Sequence, residues 1–269
     1  MTDDYITFSF IKNGKQLDEN QNNAVCAMTV RSCGSMRFRW NEQNDLRSKK
    51  LAEISNDFGG KTFVPVELNH TKIVYDVKKC DDTYQKVGDG IITVNEMLIP
   101  TVTVADCVPV YLYEPDSGVF GIVHSGWKGT GIVGEALKLA EKKYGTKAKD
   151  FCFAIGPHIH NCCYIVDSER AEYFSNNFGS NCVERLCDDI KVDWKFSLDR
   201  SDKRLFRLSL LQANLNVLEQ AGVLLENIYI HPDCTCCSKD GFYGSNRRET
   251  KKSGYPDCFT VQAAFITKN

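Results

Sequence analysis

Apolar and polar positions along the 269-residue chain break into short strand-like runs separated by turns, with a few stretches at helical period. The densest pattern lies over residues 101–131. A β-branched run, 101–104, ends on Ala105-Asp106-Cys107, and a second apolar run, 108–113, meets a turn at Pro115-Asp116-Ser117-Gly118. A third run, 119–123, ends on His124. The glycine-rich Gly126-Trp127-Lys128-Gly129-Thr130-Gly131 then opens a helix over 132–144, with Val133, Ala136, Leu137 and Ala140 on one face and Gly145 placed to end it. This pattern puts Cys107 and His124 at strand ends, where a rigid sheet holds a side chain while loops admit a substrate.

Elsewhere the pattern predicts strands over 5–11, 24–31, 63–67, 73–77, 151–155, 228–230 and 258–266, and a strand ending at Thr93 that follows a turn at Gly88-Asp89-Gly90. Helices are predicted over 44–56, closed by Gly59-Gly60, over 167–177 with Asp167 as N-cap, and over 206–221 with Gly222 at its end. Residues 180–203 are polar and carry no clear period. Strands and helices alternate irregularly, which predicts an α+β fold with mixed sheets rather than a doubly wound one. No repeat or linker divides the chain, so a single domain over 1–269 is expected, with about the first 23 residues peripheral.

Composition narrows the picture by exclusion. The chain is 42% hydrophobic and 25% charged, ordinary for a globular protein, and its formal net charge of -2 makes no electrostatic case for nucleic acid or a membrane surface. No apolar run approaches the ~20 residues that cross a bilayer. The acidic start MTDDYITFSF lacks the basic region of an export signal, so a cytoplasmic location is expected, as a monomer or weak homodimer. In that compartment the 13 cysteines are expected to be reduced, with Cys26, Cys152 and Cys258 as small buried hydrophobes inside apolar runs.

His70, Cys107 and His124 all follow β-rich runs. Two imidazoles and a thiolate suit Zn²⁺, and three protein ligands leave a fourth position for water or substrate. From the residues alone a buried Cys107 with two unrelated histidines is favoured over the metal, and a metal-free nucleophile pair of Cys107 and His124 is also admitted. Asp106 reads either as the carboxylate that orients a ligand histidine or as a turn residue accepting backbone N–H bonds. The glycines at 126, 129 and 131 suit close backbone approach at a helix N-terminus, where phosphate can bind. Arg247-Arg248 is a candidate oxyanion clamp. Cys234-Thr235-Cys236-Cys237 with His231, and Cys162-Cys163 with His158 and His160, look like metal clusters, but adjacent cysteines ligate one ion awkwardly and a metal is not expected at either.

The strings T-V-A-D-C-V-P-V and H-S-G-W-K-G-T-G, with Glu67-Leu68-Asn69-His70, Gly88-Asp89-Gly90, Gly156-Pro157, Cys162-Cys163-Tyr164 and Ser245-Asn246-Arg247-Arg248 in the right order, resemble the YfiH-like family. That family, long labelled laccase-domain or multicopper polyphenol oxidase, is described as purine nucleoside phosphorylases with adenosine deaminase activity. The resemblance implies two packed mixed sheets flanked by helices, similar to the catalytic domain of cytotoxic necrotizing factor. It implies zinc on His70, Cys107 and His124, with purine nucleoside and phosphate as substrates. It also assigns Arg31 to the family's T-R-x-G-G segment and Arg247 and Arg248 to its C-terminal arginine pair, leaving Asp106, Gly126, Trp127 and Gly129 around the same site. Copper is less expected, since a blue-copper centre with a trinuclear partner needs more histidines than the five present. Cys33 stands where the family has a glycine, Thr71 follows the first histidine, and Leu208-Ser209-Leu210 opens a helix the family opens with D-L, so an altered pocket is expected on the N-terminal side.

Overall fold

Two mixed sheets face each other across an apolar layer, and helices cover the outer side of each. The computed structural model describes residues 4–18, 23–187, 204–253 and 258–269. The five-stranded sheet runs Tyr5–Ser9, Ala24–Thr29, Gln262–Lys268, Leu98–Val104, Thr62–Pro65. The six-stranded sheet runs Ile228–Ile230, Cys152–Ile155, Val108–Glu114, Val119–Ser125, Gly90–Thr93, Val74–Asp76. Each sheet carries parallel pairs only at its edges. This is the α+β architecture with two packed mixed sheets that the irregular alternation predicts.

Period-two alternation sorts side chains between layers. Cys26, Met28, Ala264 and Ile266 of the first sheet meet Tyr111, Phe120, Ile122 and Ala154 of the second. Tyr111 also donates its hydroxyl to Ala27 O at 2.8 Å, so the layer is pinned as well as packed. Their neighbours Ala27, Ala263 and Phe265 point outward against Ile54 and Leu51 of α1 (Asp45–Asp57). Val108, Val110, Leu112 and Phe153 point the other way, onto α2 (Ile132–Tyr144) and α4 (Leu210–Gln220). Each large side chain buried this way contributes about 1.5–3 kcal/mol. The N-terminal segment supplies the edge strand Tyr5–Ser9, with Phe8 and Phe10 buried between the sheets.

Helix ends follow local chemistry. Asn44 caps α1 by accepting from Arg47 N–H, and Asp167 caps α3 (Ser168–Phe178) by accepting from Arg170 N–H, both at 3.0 Å. The predicted helix over 206–221 is shorter than its pattern. Phe206–Leu208 pairs as a strand, and Ser209 then caps α4 through the Gln212 N–H at 3.0 Å. Within 180–203, Val183–Arg185 is a strand, and 188–203 lies outside the described residues. Cys26 and Cys152 are buried as expected, but Cys258 is exposed because the last strand starts only at Gln262. The helix α5 (Asn246–Ser253) has no apolar stripe and was not expected. Among the described residues no helix is long and apolar enough to cross a membrane.

Candidate active site

Strand register assembles the site. In the central hairpin His124 lies opposite Pro109 and Ser125 opposite Val108, so Cys107 arrives beside His124 one step beyond the ladder. On the other side Gly90 pairs with Val123, which delivers Asp89 to His124; its carbonyl accepts the His124 N–H at 2.7 Å. His70 comes from a loop and holds a left-handed φ of 53°.

The ligating atoms of His70, Cys107 and His124 all lie within 4.8 Å of one another, and the two imidazole centroids are 5.0 Å apart. That is within reach of one ion bonding nitrogen at about 2.0–2.1 Å and sulfur at about 2.3 Å. Two further features fit a metal. Asp89 Oδ1 holds His124 Nδ1 at 2.8 Å, leaving Nε2 for the cluster. A Cβ on Gly126 would stand 2.8 Å from Cys107 Sγ and 3.0 Å from His70 Cδ2, so only glycine leaves the cradle open.

Without an ion the cluster is already polarised. Burial raises the Cys107 thiol, but the His124 charge and hydrogen bonds from His124 and His70 outweigh it and hold it at about 6. Burial lowers His124, and the facing thiolate and Asp89 overcome this and raise it to about 10. The Asp89 carboxyl is raised by burial and lowered more by His124 and Thr71, for a net fall.

A cavity of about 560 Å³ opens on this cluster. Trp127, Arg247 and Asp106 line it, together with Arg170 and Tyr164. Arg247 is 7% exposed and sits 5.4 Å from the Tyr164 ring, and its Nη1 has no hydrogen-bond partner among the described residues. Arg170 stacks 3.8 Å over Trp127, donates to Tyr164 Oη at 3.3 Å, and its Nε has no partner among the described residues. The buried guanidinium of Arg247 beside the partly buried one of Arg170, each with a spare donor among the described residues, makes a sound anion site.

Other expected residues take different parts. The carboxylate on His124 is Asp89, not Asp106. Asp106, at φ 80°, instead accepts Arg247 N–H at 2.6 Å and the Thr235 hydroxyl at 2.7 Å, anchoring the start of α5. Burial keeps its carboxyl raised despite those bonds. Arg31 is outside the cavity, with Nε 3.2 Å from Glu249. Arg248 is spent on structure: Nη1 donates to Thr235 O at 2.6 Å and Cys236 O at 3.0 Å, and Nη2 to Tyr243 O and Glu249. A Cβ on Gly129 would press on Thr71 O at 3.1 Å, so Gly126 and Gly129 serve close packing around the cluster. Asp89 and Arg170 are the residues sequence reasoning left without a role. The Gly-Asp-Gly string was the signal for the first, and the Asp167 cap, which fixes where α3 starts, for the second.

Comparison with known proteins places this geometry. The chain is 30% identical over 227 residues to a purine nucleoside phosphorylase of Clostridium acetobutylicum, covering 84% of this chain and 87% of that one. It is 31% identical over 168 residues to purine nucleoside phosphorylase YlmD of Geobacillus stearothermophilus, where the match spans 62% of this chain and only 57% of the relative. The fold is that of the Bacillus licheniformis hypothetical protein YfiH, with TM-score 0.75, 23% identity and 94% of each chain covered. The crystal structure of YlmD from Geobacillus stearothermophilus superposes with TM-score 0.73 at 24% identity over 92% of each chain. Residues 39–259 match the family described as multi-copper polyphenol oxidoreductase laccase, and the chain belongs to that family, the YfiH-like proteins.

Proposed function

We propose that the protein is a zinc-dependent purine nucleoside phosphorylase that also deaminates adenosine. The relatives' names support the first reaction. The observation that carries the reading is the meeting, in one cavity, of the His70–Cys107–His124 donor set with the buried, underused guanidinium of Arg247.

In this reading Arg247 and Arg170 bind phosphate. A phosphate oxygen bonds to C1′ of the ribose as the C1′–N bond breaks, and the bonding pair leaves with the purine. Holding the anion against a sugar that gains oxocarbenium character stabilises the transition state. Trp127 and Phe38 offer aromatic walls for a flat base. Asp89 keeps the His124 proton on Nδ1, so the opposite nitrogen stays aimed at the cluster. When bound at His70, Cys107 and His124, zinc supplies Lewis acidity beside the substrate, which deamination of adenosine to inosine requires.

The test is purified protein with inosine or adenosine, with and without phosphate, analysed by chromatography. Phosphate-dependent ribose 1-phosphate is expected, and its survival in Cys107→Ala sinks the reading.

One observation favours a second reading. The line Cys107–His124–Asp89, with a lowered thiol and a raised imidazole, also suits a metal-free cysteine hydrolase. Hydrolysis that persists after chelation and is abolished by iodoacetamide selects it; activity lost on chelation and restored by zinc selects the phosphorylase.

A further inference from the structure

The two cysteine pairs discounted from sequence come together. Cys162 and Cys163 sit on the turn beyond Cys152–Ile155, and Cys234 and Cys237 on the loop beyond Ile228–Ile230. These strands are parallel neighbours with Ile155 opposite Ile230, so both loops leave the same edge of the sheet. Pairing continues past the strands through a bridge between His158 and Cys234, where Thr235 N–H donates to His158 O at 2.9 Å. Register therefore brings together pairs that the sequence keeps far apart.

The Sγ atoms of Cys162, Cys163, Cys234 and Cys237 all lie within 4.8 Å of one another. The Cys162–Cys163 separation is 3.7 Å and the Cys162–Cys237 separation 3.8 Å. Four thiolates at ~2.3 Å from a tetrahedral zinc stand ~3.8 Å from each other, the edge of that tetrahedron. Cys234 and Cys237 have the C-x₂-C spacing of an ordinary zinc chelate, and the turn at 161–163 swings the adjacent pair to face them. Backbone N–H groups of His160, at 3.3 Å, and of Cys236 and Cys237 point at Cys234 Sγ, donors that offset thiolate charge around such an ion. None of the four lines the cavity of the candidate active site.

We propose that these four cysteines form a tetrathiolate zinc site, separate from the His70–Cys107–His124 set and structural in role. Binding forms four Zn–S bonds and releases the thiol protons to solvent, with no change of oxidation state. All four positions are filled, leaving none for a substrate. The ion clasps the loop that carries Ile159 and Tyr164 into the cavity wall to the loop whose Thr235 holds Asp106 and whose carbonyls hold Arg248.

The test uses full-length protein expressed with zinc. Wild type is expected to hold two zinc ions per chain, and His70→Ala/Cys107→Ala one, with an all-sulfur shell by X-ray absorption. Adding Cys162→Ser and Cys237→Ser is expected to remove that ion. A zinc content of one in wild type falling to none in His70→Ala/Cys107→Ala overturns the proposal, as does a nitrogen-containing shell for the remaining ion. If the serine variants fail to fold, cobalt loading of His70→Ala/Cys107→Ala decides: one equivalent with intense sulfur-to-cobalt charge-transfer bands supports the site, and no bound cobalt overturns it.

Discussion

Asp89 Oδ1 lies 2.8 Å from His124 Nδ1, and the same carboxylate accepts the main-chain N–H of His70 at 3.0 Å and of Thr71 at 2.6 Å. One buried side chain thus aims one candidate ligand and folds the loop that carries another. Asp89→Asn keeps the shape but loses the charge, and is expected to weaken zinc binding about 10–100-fold, read by chelator competition. The Asp89 carboxyl is lowered in the fold, so its stabilisation is present above the ordinary carboxylate range and is lost as pH falls through the lowered value. Acid unfolding of metal-free Asp89→Asn should lack that part of the pH dependence. Unchanged zinc affinity in the variant removes Asp89 from the site.

Gly126→Ala adds a methyl 2.8 Å from Cys107 Sγ and 3.0 Å from His70 Cδ2. Overpacking of this kind costs roughly 1–3 kcal/mol. The expected result is a folded protein with a modestly lower Tm and little or no metal on the His70–Cys107–His124 set. Full metal content with wild-type Tm contradicts the cradle.

Cys107 is held at about 6 by His124 in the metal-free cluster. Iodoacetamide should therefore alkylate it with a midpoint near that pH, against roughly 8.5 for an ordinary thiol. His124→Ala removes the main lowering influence, so the midpoint should move up toward the ordinary value. Added zinc should protect Cys107 in wild type. Peptide mapping by mass spectrometry assigns the alkylated site among the 13 cysteines.

The central hairpin and the helix after it were legible because Val108–Glu114 and Val119–Ser125 are buried on both faces, and such strands read as continuous apolar runs. Ile132–Tyr144 matched its pattern from first residue to Gly145. Phe206–Leu208 was misread because its apolar residues continue the period of α4, and only the Ser209 cap marks the break. At the site, Cys107 and His124 were visible as strand ends, while His70 drew its weight from resemblance. Asp89 was hidden because a Gly-Asp-Gly string looks like any turn until strand pairing delivers it to His124. The cysteine pairs were visible one by one, but their meeting was hidden for the same reason, since a parallel edge pairing leaves no mark in local spacing.

The arginines separate binding from scaffolding. Arg247 faces the cavity with an Nη1 that has no partner among the described residues, whereas Arg248 grips two carbonyls of the 234–237 loop and Arg31 pairs with Glu249 outside the cavity. A hydrogen bond to a charged group contributes about 1.5–3 kcal/mol. Arg247→Ala is therefore expected to raise KM for phosphate by roughly 10–100-fold with little change in Tm. Arg248→Ala should do the reverse, lowering stability by about 1–3 kcal/mol through the carbonyls it leaves unpaired. Arg31→Ala, with half of the side chain in solvent, should stay within about 0.5 kcal/mol of wild type and keep its phosphate KM. Steady-state kinetics at varied phosphate, beside thermal unfolding of the three variants, reads both axes. A phosphate defect in Arg31→Ala that exceeds the one in Arg247→Ala places the anion outside the cavity and separates it from the His70–Cys107–His124 cluster.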